Sequence, residues 1–498
     1  MRAVMKPSRE TLWILFNLVL GFAAGLLVGW GPLGASTSMV VVLGLTGGLA
    51  GALLGAWSHF RPRRRYVWWG HCGVLLIIAL ATVVPLYRIG MIAPPSELPA
   101  VNFKRLQRAL DYAYPYFALK ETDSAALFAR YAPQVESAAD DADYWRIVGQ
   151  MLAELNDGHT GLLSPSARSG RHYFATCRAI GDAIVVDEVG QIAMAAGLTR
   201  GDVVLAVDGR PIEEALEALS PILRAGSSPQ QRRAKAAFSI LSTNHRSLRT
   251  TVTGPTGERT ITLARPDESP AVASQSSRIE QPPITGERLV SGLGLIRIPD
   301  FEAGGERDRI AEFDIALNGL LDAPGIILDL RGNGGGSTFV SDPIAGRFFD
   351  TPFTYGHDEF RARLPQRGWR ARFDYRVTPR RPTYTGPLVL LIDEYNFSTA
   401  ENFIVALVDS GRATTVGRLT AGGSGNPLTF RLPGGGLVRF SSGAFHRNDG
   451  TLVEGHGIAP DVTVDWTVDD FRAGRDPDLT AAESFMASLN AILPSSFD

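Results

Sequence analysis

The C-terminal half of the chain predicts an α/β fold with a largely parallel sheet, and three observations carry that reading. Short apolar runs bounded by turn residues recur at Leu293–Ile298, Gly325–Leu330, Leu388–Ile392, Ala413–Val416 and Val462–Val464, the texture of strands buried on both faces. Helix-periodic segments alternate with them, at Ile310–Leu321 and from Ser398 to Gly411. Glycine-rich or polar turns follow the strands directly, where such folds carry their sites.

The stretch Leu388–Gly411 is the most informative. Its strand ends at Asp393, a turn Glu394-Tyr395-Asn396-Phe397 follows, and Ser398 opens the helix. A hydroxyl there lies at a helix N-terminus, where backbone N–H groups can receive an oxyanion. Ser398-Thr399-Ala400-Glu401 is equally a capping box, in which the serine only ends the helix. Upstream, Asp329-Leu330-Arg331-Gly332-Asn333-Gly334-Gly335-Gly336 follows its strand at once. A glycine run of this kind turns N–H groups outward into an anion-binding nest. It lacks the G-x-G-x-x-G spacing of a dinucleotide site and the lysine of a Walker loop.

The first 90 residues have another character. Thr11–Trp30, Ser38–Trp57 and Tyr66–Leu86 are apolar stretches, each about 20 residues, long enough to span a bilayer. Trp13, Trp30, Trp57, Trp68 and Trp69 lie near their ends, as interfacial aromatics do. Arg2, Lys6 and Arg9 precede the first stretch, and Arg61, Arg63, Arg64 and Arg65 fill the second loop. The positive-inside rule then puts the N-terminus in the cytoplasm and everything after Tyr87 on the periplasmic or extracellular side of the cytoplasmic membrane. Gly47, Gly51 and Gly55 would let helices pack closely, within one chain or between chains of a homo-oligomer.

Phe103–Leu155 is helical in character, broken at Pro115, and ends in Asn156-Asp157-Gly158-His159-Thr160. A histidine just beyond such a turn can act as a base, since its pKa lies near neutrality. Arg178–Leu263 reads as short strands around a helical pattern at Ile212–Leu223. Asp267–Pro283 is a Ser/Pro-rich linker. Near the end, Glu454 lies in Val453-Glu454-Gly455-His456-Gly457, where it could orient a base; His456 and His446 are rival bases on local sequence alone.

Composition narrows the chemistry. The formal net charge is −2, so no general attraction to nucleic acid is expected. The two cysteines, Cys72 and Cys177, have no metal-site spacing, and no metal or organic cofactor is implied. Only four lysines occur, Lys6, Lys104, Lys120 and Lys235, and none follows Lys235.

Five motifs in fixed order, NDGHT, AGLTRGDVVLAVDG, GIILDLRGNGGGS, YNFSTAE and VEGHGIAPDV, make residues 101–480 resemble the C-terminal-processing (tail-specific) serine peptidases. The tricorn-like, or retinoid-binding-protein-like, branch is the most similar. The resemblance implies a crotonase-like (ClpP-like) α/β core at 288–465 and a PDZ-like domain at 171–265. A helical domain at 101–165, the three-helix membrane anchor at 1–90 and a helical tail at 466–498 complete the expected organisation. It further implies Ser398 as nucleophile, His159 as base and Glu454 as the third member of a triad. The oxyanion donors would be the N–H groups of Gly335, with Gly336 as the alternative, and of Thr399. Two departures bear on this. The other branch uses a lysine base, yet Arg418–Asn426 contains none, which favours His159. Branch members can carry a serine just before the base, where this chain has Gly158. The implied function is a membrane-anchored endopeptidase that hydrolyses polypeptides near their C-termini, the PDZ-like domain holding the substrate as an added strand. The other reading is a membrane-anchored PDZ scaffold or sensor whose peptidase-like core is inactive.

Overall fold

A computed structural model describes residues 95–163, 171–265, 282–304, 307–364 and 367–492. The three apolar N-terminal stretches and most of the 267–283 linker lie outside the described residues. Among those described, no helix is long and apolar enough to cross a membrane.

The chain enters through three helices, α1 (Pro99–Ala113), α2 (Ser124–Glu136) and α3 (Asp141–Ala153). The carboxylate of Asp123 accepts the Ala125 and Ala126 amides, and that of Asp140 accepts the Asp143 amide, which fixes where α2 and α3 begin. α1 stops two residues before Pro115, as the proline break predicts.

Next comes an antiparallel unit of β1 (Ala175–Ile180), β2 (Ala183–Val189), β3 (Val203–Val207), β4 (Ser247–Gly254) and β5 (Gly257–Ala264), adjacent in that order. The helical pattern at Ile212–Leu223 becomes two short helices, Ile212–Glu217 and Pro221–Arg224. A longer helix, α4 (Pro229–Ser239), covers the sheet; the Ser228 hydroxyl accepts the Gln231 amide at its start. Cys177 is free and buried in this unit.

The C-terminal half contains β6 (Thr285–Arg288), β7 (Gly294–Arg297), α5 (Arg309–Asn318), β8 (Ile326–Asp329), α6 (Thr338–Ala345), β9 (Phe353–Leu364) and β10 (Arg367–Val377). It continues with β11 (Leu388–Ile392), α7 (Thr399–Asp409), β12 (Thr414–Gly417), β13 (Leu428–Arg431) and β14 (Leu437–Phe440). It ends with β15 (Gly443–Arg447), β16 (Val462–Thr463) and α8 (Pro477–Ile492). The main sheet runs β6-β7-β8-β11-β12-β16, with only the β6–β7 pair antiparallel. Strand alternation builds a layer on each face. Ile326, Leu328, Leu390 and Ile392 pack with Phe313 of α5 and Phe403 of α7, while Ile327, Val389, Leu391 and Val416 pack with Ala482 and Met486 of α8.

The remaining strands join the units. β13 and β14 pack Phe430, Val438 and Phe440 into the core of α1–α3, so the helical unit and the peptidase-like half share one apolar cluster. The hairpin β9–β10 pairs with β15 and is not foreshadowed by the apolar runs, because its strands are rich in arginine and acidic residues. On the other side, Phe471 packs on Ile180 and Val185, and Arg472 Nε donates to the Gly201 carbonyl at 2.9 Å.

Candidate active site

The turn between β11 and α7 is built from side chains that replace ordinary turn bonds. Asn396 Oδ1 accepts the Asp393 amide at 2.8 Å, and Asn396 Nδ2 donates to the Leu330 carbonyl of the neighbouring glycine loop. Asp393 Oδ1 accepts the Gly332 and Tyr395 amides. Ser398 emerges with φ +59° and ψ −125°, a conformation that costs a non-glycine residue of order 1–3 kcal/mol. An ordinary N-cap residue has extended backbone. The Ser398 amide donates to Gly423 O at 2.9 Å and to Glu401 Oε2 at 3.2 Å, so Glu401 does take the role that the Ser-x-x-Glu spacing predicts. The fully buried Glu401 carboxylate also accepts the Gly422 and Gly423 amides, each at 2.8 Å, and the Thr420 hydroxyl. Burial pushes its carboxyl up to about 7, against the pull of these donors. The Ser398 hydroxyl is engaged elsewhere: His159 Nε2 lies 2.9 Å from Oγ.

His159 is held from several sides. Its amide donates to Asp157 Oδ1 at 2.8 Å, Asp157 Oδ2 accepts the Thr160 hydroxyl at 2.6 Å, and the ring stacks on Phe397 with centroids 4.2 Å apart. The imidazole is buried, which holds its pKa well below the usual histidine value; the positive charges of Arg439 and Lys235 push the same way. The neutral, proton-accepting form therefore persists below pH 6.5. The acid limb of any Ser398-dependent reaction is expected to have its midpoint under pH 6.5, and a rate–pH profile with the midpoint at or above 6.5 would contradict this placement. Folding stability should follow the same sign. As pH falls through 6.5 the unfolded chain takes up a proton that the folded imidazole resists, so stability declines toward acid.

Glu454 reaches the site but not by the expected contact. A relay carboxylate would accept the His159 Nδ1 proton, yet Nδ1 is buried without a hydrogen-bond partner. The fully buried Glu454 carboxylate is instead taken by Lys120 Nζ at 2.7 Å, the Ser227 hydroxyl at 3.0 Å and the Ser424 amide at 3.1 Å. Lys120 supplies the counter-charge at Oε1, and Ser227 and Ser424 supply hydrogen bonds to Oε2. Burial, with the nearby Asp157 charge, raises its carboxyl to about 8, while Lys120 acts in the opposite sense. His456 is exposed, with Nδ1 3.1 Å from the Glu454 carbonyl, and His446 stacks on His357. The structure brings neither of these two rival bases to Ser398.

The glycine loop closes the site. Gly335 has φ +99°, and a Cβ there would lie 2.6 Å from Phe397 O, 2.9 Å from Thr399 N and 3.0 Å from Ser398 Cβ; only glycine allows this approach. The Gly335 amide itself donates to Asn333 Oδ1 at 2.8 Å. Among the described residues, the Gly336 and Thr399 amides donate to no partner. The Thr399 hydroxyl donates to Gly336 O at 2.9 Å and ties the two together.

Lys120, Ser227, Phe397 and Asn333 escape sequence reasoning as site residues. Asn333 and Phe397 do lie inside recognised motifs. Lys120 carries only the signal of being one of four lysines. Ser227 carries none.

A strained strand-to-helix serine bonded to a buried histidine, beside a glycine loop with open amides, defines the core of a serine hydrolase on an α/β sheet. Residues 292–464 match peptidase family S41, and residues 95–153 match the tricorn protease C1 domain. Carboxyl-terminal-processing peptidase 1 of Arabidopsis thaliana chloroplasts is 26% identical over 334 residues, which cover 63% of this chain and 61% of the relative. Tricorn protease homolog 1 of Streptomyces coelicolor is 32% identical over 202 residues, 39% of this chain and 17% of that protein. The chain thus spans less than two thirds of the length of these relatives. Among solved structures, mature CPAF complexed with lactacystin superposes with a TM-score of 0.62 at 16% identity, covering 79% of this chain and 98% of the other. At that identity the likeness is one of fold.

Proposed function

We propose that the chain is a serine endopeptidase, tethered to the cytoplasmic membrane by its first 90 residues, that hydrolyses polypeptides near their C-termini on the periplasmic or extracellular side. The observation that carries the activity is the 2.9 Å contact between His159 Nε2 and the hydroxyl of the strained Ser398. His159 takes the Ser398 proton as Oγ attacks the scissile carbonyl, and then gives it to the leaving amine. The N–H groups of Gly336 and Thr399 receive the oxyanion, and that of Gly335 joins them if Asn333 releases it. Water then repeats the sequence on the acyl-enzyme. Glu454 supports the developing imidazolium through the buried network rather than by touching it. The antiparallel unit of β1–β5 with α4, read as PDZ-like, would hold the substrate's extended end along a sheet edge.

The test is incubation of the full-length chain with an unfolded polypeptide, followed by sequencing of the new termini. Cleavage that clusters near C-termini and disappears in Ser398→Ala supports the proposal. Intact substrate after prolonged incubation with a folded chain would overturn it and leave a membrane-anchored scaffold.

A further inference from the structure

Glu454 does not contact His159, so something else must couple the buried carboxylate to the base. A continuous hydrogen-bond path does so. Ser227 Oγ donates to Glu454 Oε2 at 3.0 Å and accepts the Gly158 amide at 2.8 Å, one residue before His159. Lys120 Nζ closes the arrangement from the other side, 2.7 Å from Glu454 Oε1 and 3.1 Å from the Ser227 carbonyl. Ser227 is itself only 4% exposed. Its amide donates to Gln231 Oε1 at 2.6 Å, and that same oxygen fills the space a side chain at 158 would need: a Cβ on Gly158 would lie 2.6 Å from it. The glycine before the base and the serine of a remote segment are therefore complementary. The segment is laid on the catalytic loop by two further bonds, Ser228 Oγ to Ala421 O at 2.6 Å and Gln230 Nε2 to Thr420 O at 2.8 Å.

We propose that Ser227 is a positioning residue for the catalytic base: its hydroxyl joins Glu454 to the backbone of the His159 loop, so that the base is set only when the α1–α3 unit, the segment leading into α4 and the peptidase core are docked together. Each unit supplies one member, Lys120, Ser227 and Glu454 respectively. A neutral hydroxyl suits this place because it can accept from an amide and donate to a carboxylate at once, which an acceptor-only or apolar side chain cannot do. With Ser227 absent, the Gly158 amide and one Glu454 oxygen would lose a partner in a buried site, and the loop would be free to shift. Positioning errors of about 1 Å near reacting atoms can cost on the order of a hundredfold in rate.

The inference rests on the serine-peptidase reading, and the test separates the two. The rate of Ser398 modification by a fluorophosphonate reporter and the steady-state kinetics on a peptide would be measured for the full-length wild-type chain and for Ser227→Ala, Ser227→Thr and Ser227→Val. Ser227→Ala should react about tenfold or more slowly, with the loss in kcat and not in KM. Thr and Val share a shape, so any packing damage is common to both. Thr should react at least about tenfold faster than Val, because it alone keeps the hydroxyl. Equal rates for Thr and Val, or a wild-type rate for Ala, would overturn the proposal. A wild-type chain that is folded yet never labelled would instead remove the peptidase reading beneath it.

Discussion

Alanine in place of Ser398 is expected to lower peptide hydrolysis by roughly four orders of magnitude or more, because what survives loss of a nucleophile is only substrate binding and oxyanion stabilisation. The fold should be retained. The ties that shape this turn run through backbone and other side chains: the Ser398 amide to Gly423 O and Glu401, and Asn396 and Asp393 to the glycine loop. None of them needs the hydroxyl. The melting temperature of Ser398→Ala should accordingly stay close to that of the wild type, while hydrolysis disappears. If the serine were only a helix cap, the pattern would reverse, with a stability loss of about 1 kcal/mol and activity kept within a few fold.

Lys120→Met carries the largest expected effect on stability. The side chain of Lys120 is 10% exposed and that of its partner Glu454 is fully buried. Removing one member of such a pair typically costs about 3–5 kcal/mol, since the remaining charge is left in a poor dielectric. The sign with pH follows from Glu454. Its carboxyl is raised by burial to about 8 in the folded chain, above its value of 4.5 in an open chain. A raised carboxyl favours folding at low pH, where it is protonated, and that contribution is lost as pH rises through about 8. Without the lysine the ionised form has no counter-charge. The deficit of Lys120→Met relative to wild type should therefore be smallest near pH 5 and grow toward pH 9, and Glu454→Gln in the same chain should recover part of it. Thermal melts of the three proteins across that range check this; a deficit independent of pH would mean that Lys120 only fills space.

How much of this was legible in the sequence depends on the range of the interactions involved. The strand Leu388–Ile392, the serine at its turn and the helix to Asp409 follow from local periodicity and turn chemistry, and they were readable to within a residue or two. The parallel strands Gly294–Arg297, Ile326–Asp329 and Thr414–Gly417 were readable for the same reason, since burial on both faces makes them continuous apolar runs. The hairpin Phe353–Val377 was not, because its strands carry charge and pair with each other and, through β9, with β15, outside the apolar parallel sheet. At the site, Ser398 and His159 were identified by motif, and the structure joins them across 239 residues of chain. The environment of Glu454 was beyond reach. Its partners Lys120 and Ser227 come from two other units, and nothing in their local sequence points to a carboxylate. The scarcity of lysine speaks against a serine–lysine dyad, and His159 Nε2 lies 2.9 Å from Ser398 Oγ. It gave no hint that Lys120 would enter the site from the helical unit to hold the carboxylate. The glycine loop shows the same limit: Asp-Leu-Arg-Gly-Asn marks the place, but only the fold shows that Asn333 occupies the Gly335 amide while, among the described residues, that of Gly336 has no partner.

The central claim is that Ser398 is a nucleophile activated by His159. Labelling of the full-length chain with a fluorophosphonate, followed by peptide mapping of the adduct, tests it most directly. A single adduct on Ser398 is expected in the wild type and in His456→Ala, and none in His159→Ala. Undiminished labelling in His159→Ala, or its loss in His456→Ala alone, would contradict the account.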